Sequence, residues 1–175
     1  MGPYRAAAVS LLFCAPVVAQ GPGWSFSPLM GEGDRAAMGC DRDSTRDDFI
    51  CIVVRCEDDF SPGIHLFSSR KPDALGTWAL TLDREDRSVD VVADAAPYSG
   101  RVATDTEWLL DRLQQGSYIY LRHSADETAA FRFITLAGSF AAIHEALYWC
   151  APRVTPTEQN AETGVESNNE LGEKP

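Results

Sequence analysis

The sequence predicts an α+β domain in which an antiparallel, meander-like sheet or sandwich is covered by two helices. Three observations support this fold class. Short segments rich in β-branched and aromatic residues recur between turn-forming residues. Two segments in the C-terminal half carry apolar residues at helical spacing. The length of 175 residues is that of about one domain, which can bury a core without a metal.

The strand predictions follow the β-rich segments in chain order. The segment at 49–56 is the strongest because five of its eight residues are Phe, Ile or Val. Residues 76–82 alternate apolar and polar side chains, which is typical of a strand with one buried face. The predicted strands are 25–30, 35–40, 49–56, 64–69, 76–82, 89–93, 98–103, 118–121 and 131–134.

Two helices are predicted from caps and apolar stripes. Thr104 and Glu107 form a capping-box pattern before an apolar stripe at 108–113, and Gly116 fits the helix end. Ser139 is predicted to cap the second helix, whose buried face reaches Cys150. We expect this C-terminal helix to pack on the sheet.

The N-terminus predicts export. Residues 1–19 have one basic residue, Arg5, then a short apolar run and a small-residue exit at Ala19, which are the parts of a cleaved signal peptide. The apolar run is shorter than the roughly 20 residues that span a bilayer, so no membrane span is expected after cleavage. The exported domain is predicted over 20–152. Residues 153–175 are acidic and poor in apolar residues, which predicts a disordered tail.

The charge disfavours one class of partner. The formal net charge is −11, and it becomes more negative when Arg5 leaves with the signal peptide. An acidic domain repels phosphate backbones, so nucleic acid is not an expected partner. The charge is compatible with a basic protein partner.

Four cysteines remain after the signal peptide, and an even number in an exported chain predicts two disulfides. Three pairings are possible. Cys51 and Cys56 are an odd number of residues apart on one strand, so their side chains point to opposite faces. Cys56 shares the apolar face and should reach Cys150 on the last helix, which leaves Cys51 for Cys40. We therefore predict Cys40–Cys51 and Cys56–Cys150. Zinc spacing is absent, and no metal or cofactor is predicted.

The segment between Cys40 and Cys51 carries alternating aspartates, as calcium loops do. A helix-flanked calcium loop needs glycine at its sixth position and glutamate at its twelfth, where this chain has Arg46 and Ile52. A solvated hairpin tip is the preferred interpretation.

The histidines and a nearby serine suggest no catalytic site. His123, Ser124 and Asp126 have the ingredients of nucleophilic catalysis, but adjacent side chains on a strand point apart, and no nucleophile-elbow motif is present. His65 is predicted on the wetter face of its strand, and His144 is predicted to be exposed. We predict no catalytic residues and a protein that is not an enzyme.

The tryptophans divide into two groups. Trp78 and Trp108 fall within apolar stripes and are expected in the core. Trp24 and Trp149 are less constrained, so they are the candidates for a surface that binds a partner.

The layout resembles that of a known family. Trp24 near the predicted mature start, the strand ending at Cys56, the amphipathic segment 108–113, and the run 133–139 leading to a helix with Cys150 carry this resemblance. The chain resembles the VasI-like periplasmic proteins associated with type VI secretion clusters, and more loosely the exported proteins of the invasion-associated locus B type. The resemblance implies an accessory envelope protein without known catalysis, and it carries no functional residues over.

The leading functional hypothesis is therefore a periplasmic or secreted bacterial protein that binds a protein partner in the cell envelope. One alternative is an inhibitor of an incoming lysozyme or protease, since an acidic domain suits a basic enzyme. A second alternative is a hydrolase of an envelope polymer, which would need a cleft holding a carboxylate of raised pKa.

Overall fold

The computed structural model describes residues 23–26 and 35–150. The predicted signal peptide at 1–19 and the predicted tail at 153–175 lie outside these residues, as does most of the first predicted strand. Within the described part of the chain, nine antiparallel strands and two α-helices confirm the α+β class. None of these helices is long and apolar enough to cross a bilayer.

The strands follow the β-rich segments closely. The helices are α1 (Thr106–Gln115) and α2 (Ser139–Ala146), and short 3-10 turns occupy Lys71–Ala74 and Leu147–Cys150. The strands are β1 (Trp24–Phe26), β2 (Ala36–Cys40), β3 (Ile50–Cys56), β4 (Pro62–Ser68), β5 (Gly76–Leu82), β6 (Glu85–Val92), β7 (Gly100–Val102), β8 (Tyr118–His123) and β9 (Arg132–Thr135).

The strand order is β1-β2-β3-β4-β7-β6-β5-β8-β9. It departs from a simple meander at two connections, from β4 to β5 and from β7 to β8. The second connection contains α1.

The two edges of the sheet meet. The Trp24 amide donates to the Ala137 carbonyl at 3.1 Å, and the Arg42 amide donates to the Phe133 carbonyl at 2.8 Å. The sheet is therefore rolled, and its inner face encloses one apolar core that runs from Ala37 on β2 to Ile134 on β9.

The rolled sheet has two different ends. The antiparallel registers bring the end of β7 and the end of β9 to the same end, and α1 and α2 follow these two strands there. Leu109, Leu113 and Ile143 from the helices are buried in the core. This is the helix end. At the opposite end, called the open end, β4 and β8 finish and β5 and β9 begin.

The predicted capping box of α1 is wrong. The helix begins at Thr106, and its N-cap is Asp105 in a left-handed conformation, with no side-chain hydrogen bond to the helix. The Thr104 hydroxyl instead accepts a hydrogen bond from the Asp90 amide at 2.9 Å. The Thr104 oxygen that the sequence pattern assigned to the helix therefore binds a backbone amide of β6, beside the point where β7 stops pairing with it.

The predicted cap of α2 is also wrong. Gly138, at φ 82°, is the N-cap, and Ser139 is already the first helical residue. The Ser139 hydroxyl is buried and donates back to the Leu136 carbonyl at 2.7 Å. The predicted end of α1 at Gly116 agrees with the structure, where the Gly116 amide donates to the Arg112 carbonyl.

Two disulfides tie the sheet at both ends of β3. The structure joins Cys40 to Cys51 and Cys56 to Cys150, the pairs that the sequence predicts. Along β3, Ile52 contributes to the enclosed core, whereas Val53 belongs to a small cluster on the outer face. This alternation is the reason the two cysteines of β3 serve different layers.

Candidate functional site

A cleft of about 460 Å³ lies at the open end of the rolled sheet. Its size falls within the range of small-ligand pockets. Ile50, Leu75 and Trp78 form its apolar part. Arginine, aspartate and histidine side chains line much of the rest, and three further residues complete the lining: Asp48, Arg70, Asp73, His123, Asp126 and Arg132, with Phe49, Ser68 and Ala125.

Arg132 organises one wall of the cleft. One terminal nitrogen donates to both carboxylate oxygens of Asp48 at 2.7 Å, and the other lies 3.7 Å from Asp41. The hydrogen bond from Arg132 lowers the pKa of Asp48 and raises the pKa of the guanidinium itself. Both charged forms are thereby stabilised.

The 41–48 segment is not simply a solvated hairpin tip, because Asp41 at its start is buried. Its side chain is buried, and its carboxylate accepts hydrogen bonds from the Asp43 and Ile50 amides and from the Ser44 hydroxyl. Asp41 therefore fixes the hairpin that carries Asp48 into the cleft. Among the described residues, no group of three or more His, Cys, Asp or Glu side chains is placed to hold a metal ion.

His123 is held in one tautomer. Its Nε2 faces the Leu75 carbonyl at 2.8 Å, and its Nδ1 faces the Ala125 amide at 3.1 Å. A carbonyl only accepts and an amide N–H only donates, so the ring carries its hydrogen on Nε2 and accepts at Nδ1. Both ring nitrogens of His123 are therefore engaged by the backbone, and no hydrogen bond joins the ring to Ser124.

Asp126 is also engaged locally. The Thr128 hydroxyl and the Ala129 amide donate to its carboxylate, and the Thr128 hydrogen bond is the main reason that the pKa of Asp126 is lowered. The structure therefore brings His123 and Asp126 into one cleft but gives them no shared catalytic geometry.

Among the three histidines, the prediction for His65 is the one that the structure contradicts. The sequence places it on the wetter face, whereas its side chain is fully buried. The residue does lie on the outer face of β4, but the 93–99 segment covers that face, and Tyr98 packs 5.1 Å from the imidazole ring. This cover comes from distant residues, so local alternation cannot reveal it. His144 is exposed, as predicted.

The two candidate surface tryptophans differ. Trp24 is buried, and its indole N–H donates to the Thr135 carbonyl at 3.1 Å, so its proposed role on the surface is wrong. Trp149 is 48% exposed, and the Arg35 guanidinium lies 5.7 Å from its ring. Trp149 lines a separate depression near the Cys56–Cys150 disulfide rather than the cleft. Trp78 lies in the core, as predicted.

His123 and Asp126 line the cleft and were considered as site residues, whereas Arg70, Asp73 and above all Arg132 were not predicted. One signal was available. Arg132 lies at the start of its strand and on the same face as Ile134, whose side chain is buried in the core. Its guanidinium is therefore on the inward-facing side of the sheet. A charged residue in that register indicates a site where the interior opens to solvent.

Comparison of this chain with protein-family models, with curated proteins and with solved structures finds no match.

Proposed function

We propose that this protein is a non-catalytic binding module of the bacterial cell envelope, periplasmic or secreted, and that the open-end cleft receives its protein partner. The engagement of Arg132, Asp48, His123 and Asp126 by neighbouring groups supports this proposal best. Groups fixed in this way present a defined pattern of charge. The Asp48 and Asp126 carboxylates, whose pKa values are lowered, are not poised to donate protons.

The electrostatics of the cleft argue against the hydrolase alternative. General acid catalysis near neutral pH requires a carboxyl group with a raised pKa. The pKa values of Asp48 and Asp126 are lowered instead, through hydrogen bonds from Arg132 and Thr128 respectively. These two carboxylates favour recognition of a cationic group over proton donation.

The remaining cleft residues indicate the chemistry of the partner. Arg70 and Asp73 also line the cleft, where the charge of Arg70 acts on Asp48, and Leu75 beside them is 37% exposed. A protein segment with an apolar side chain flanked by charges fits this lining. The net charge of −11 favours approach of a basic partner.

The envelope setting rests on two observations. The N-terminal residues have the pattern of a secretory signal. Two disulfides are typical of a protein that folds in an oxidising compartment.

Site-specific photocrosslinking in the native host tests this proposal. A crosslinking amino acid at Ala125, on the exposed rim of the cleft, should give a discrete adduct with an envelope protein. The matched control is Ser88 on the exposed face of β6, outside the cleft, which should give none. Equal adducts from both positions, or capture of abundant porins alone, would contradict the proposal.

The inhibitor alternative is favoured by the same acidity, because many lytic enzymes are basic. It has a direct assay with purified protein and lysozyme. Absence of inhibition at micromolar protein would remove it and leave the accessory role standing.

A further inference from the structure

A buried histidine between two carboxylates lies outside the cleft. His65 on β4 is fully buried. Its Nε2 is 2.6 Å from Glu57 Oε1, and its Nδ1 is 3.5 Å from Asp94 Oδ2 without forming a hydrogen bond. Glu57 follows β3, whereas Asp94 belongs to the 93–99 segment between β6 and β7, so the ring lies between two separate connections.

The number of protons on the ring decides whether it can join these connections. A neutral imidazole has one N–H group, which the short contact to Glu57 requires at Nε2. Its Nδ1 then presents a lone pair to the Asp94 carboxylate, and the two repel. Only the imidazolium, which has two N–H groups, can donate to both carboxylates.

The charges around His65 also favour a protonated ring between the two carboxylates. The Arg55 Nε lies 3.5 Å from the second oxygen of Glu57 and balances that carboxylate. On β7, Arg101 is the register partner of His65, and its charge acts on Asp59. A protonated His65 therefore balances Asp94, whereas a neutral ring leaves Asp94 facing a lone pair.

We propose that His65 is a pH-sensitive latch for the 93–99 segment. When His65 is protonated, it bridges Glu57 and Asp94 and fixes the segment against β4. When it is neutral, Asp94 is released. Histidine is the side chain whose charge ordinarily changes between about pH 5 and pH 8, so a comparison of the protein at the two ends of this range tests the latch.

The segment that the latch holds adjoins the cleft. Ser99 exchanges two hydrogen bonds with Ser68, of 2.9 and 3.2 Å, and Ser68 lines the cleft. Fixing the segment therefore steadies one part of the rim. The latch itself involves no cleft residue, so it can be measured on the free protein whether or not the proposed function is right.

Hydrogen exchange of the peptide spanning 93–99 tests the latch. After correction for the pH dependence of chemical exchange, protection should be about three- to tenfold higher near pH 5.5 than near pH 8, as expected for one partly exposed charged hydrogen bond. Equal protection at the two pH values would overturn the proposal.

Asp94→Asn is the decisive variant. The side-chain oxygen that accepts from the Ala95 amide at 2.8 Å is retained in asparagine, so the turn keeps its local hydrogen bond while the charge is lost. Protection should no longer rise at low pH in this variant, because the amide NH2 that replaces Oδ2 can donate to the neutral Nδ1 but cannot accept from the imidazolium. The rise at low pH should persist in Asp47→Asn, a matched loss of an exposed charge. Protection that still rises at low pH in Asp94→Asn would also refute the latch.

Discussion

The two disulfides make a quantitative prediction about stability because they close loops of very different length. Cys56 and Cys150 are separated by 94 residues, whereas Cys40 and Cys51 are separated by 11. In the chain-entropy description, a disulfide stabilises the fold by restricting the unfolded chain, and the effect grows with the logarithm of the loop length. The long-range bridge should therefore contribute more.

The loop lengths give the magnitudes. Replacing both Cys56 and Cys150 with alanine should lower the free energy of unfolding by about 4.7 kcal/mol, and the same change at Cys40 and Cys51 by about 2.8 kcal/mol. Alanine is preferred to serine because Cys51 is buried, where a hydroxyl would need a partner. The difference of about 1.9 kcal/mol corresponds to about 1 M urea at an m value of about 2 kcal/mol/M.

Urea unfolding followed by tryptophan fluorescence measures both variants under identical conditions, and each pair serves as the control for the other. The variant lacking Cys56–Cys150 should unfold at the lower urea concentration. Equal midpoints, or a larger loss from removing Cys40–Cys51, would refute the entropic reasoning. That result would indicate that the hairpin bridge stabilises the folded state directly, through the geometry of the 41–48 segment.

Two further predictions concern single contacts. Arg132→Met should raise the pKa of Asp48 toward the ordinary value of about 3.9, and carboxyl NMR titration should show no change at Asp126, whose hydrogen bonds are independent. The lowered pKa of Asp48 stabilises the folded state at pH values above the pKa that Asp48 has in the unfolded chain, and this stabilisation is lost as the pH falls through the folded-state pKa. An Asp48 titration that does not change in Arg132→Met would contradict the role assigned to the Arg132 hydrogen bond. Trp24→Phe removes a buried indole donor and should cost about 1–3 kcal/mol in urea unfolding. The exposed Trp149→Phe control should cost less than about 0.5 kcal/mol, and equal losses would place Trp24 outside the core.

Local patterns were sufficient to predict most of the strands. Alternation along 76–82 matches β5 residue for residue, and the β-branched run at 49–56 gives β3 with its two faces. These signals are local because a strand buries alternate residues whatever its partner is. The disulfide pairing follows from the same alternation, since it separates the faces of Cys51 and Cys56.

The strand order and the covered faces are not local properties. Trp24 is buried because β1 meets the end of β9, more than a hundred residues away, where its indole N–H donates to the Thr135 carbonyl. His65 is buried because the 93–99 segment folds over the outer face of β4. In both cases the pattern around the residue is compatible with exposure, and a distant segment supplies the burial.

The start of α1 shows that a tertiary contact can take a side chain that the sequence pattern assigns to a helix cap. Thr104 has the right spacing from Glu107 for a capping box, yet its hydroxyl accepts from the Asp90 amide of β6. This amide lies next to the last paired residues of β6 and β7, and the Thr104 hydroxyl accepts its hydrogen bond where the pairing of the two strands ends. The pattern predicted the helix correctly and its first residue wrongly.

The antiparallel topology explains why the proposed cleft and the 93–99 segment lie at the same end. Each connection joins strands at one end of the sheet, so the 41–49, 93–99 and 124–131 segments gather at the open end, while α1 and α2 close the other. The core beneath these connections is tied through β3, by Cys51 near the open end and Cys56 at the helix end. A change in the 93–99 segment therefore leaves the core that the disulfides tie in place. This property suits a module that binds through its rim, and it is why a proton on His65 can alter one part of that rim without disturbing the fold.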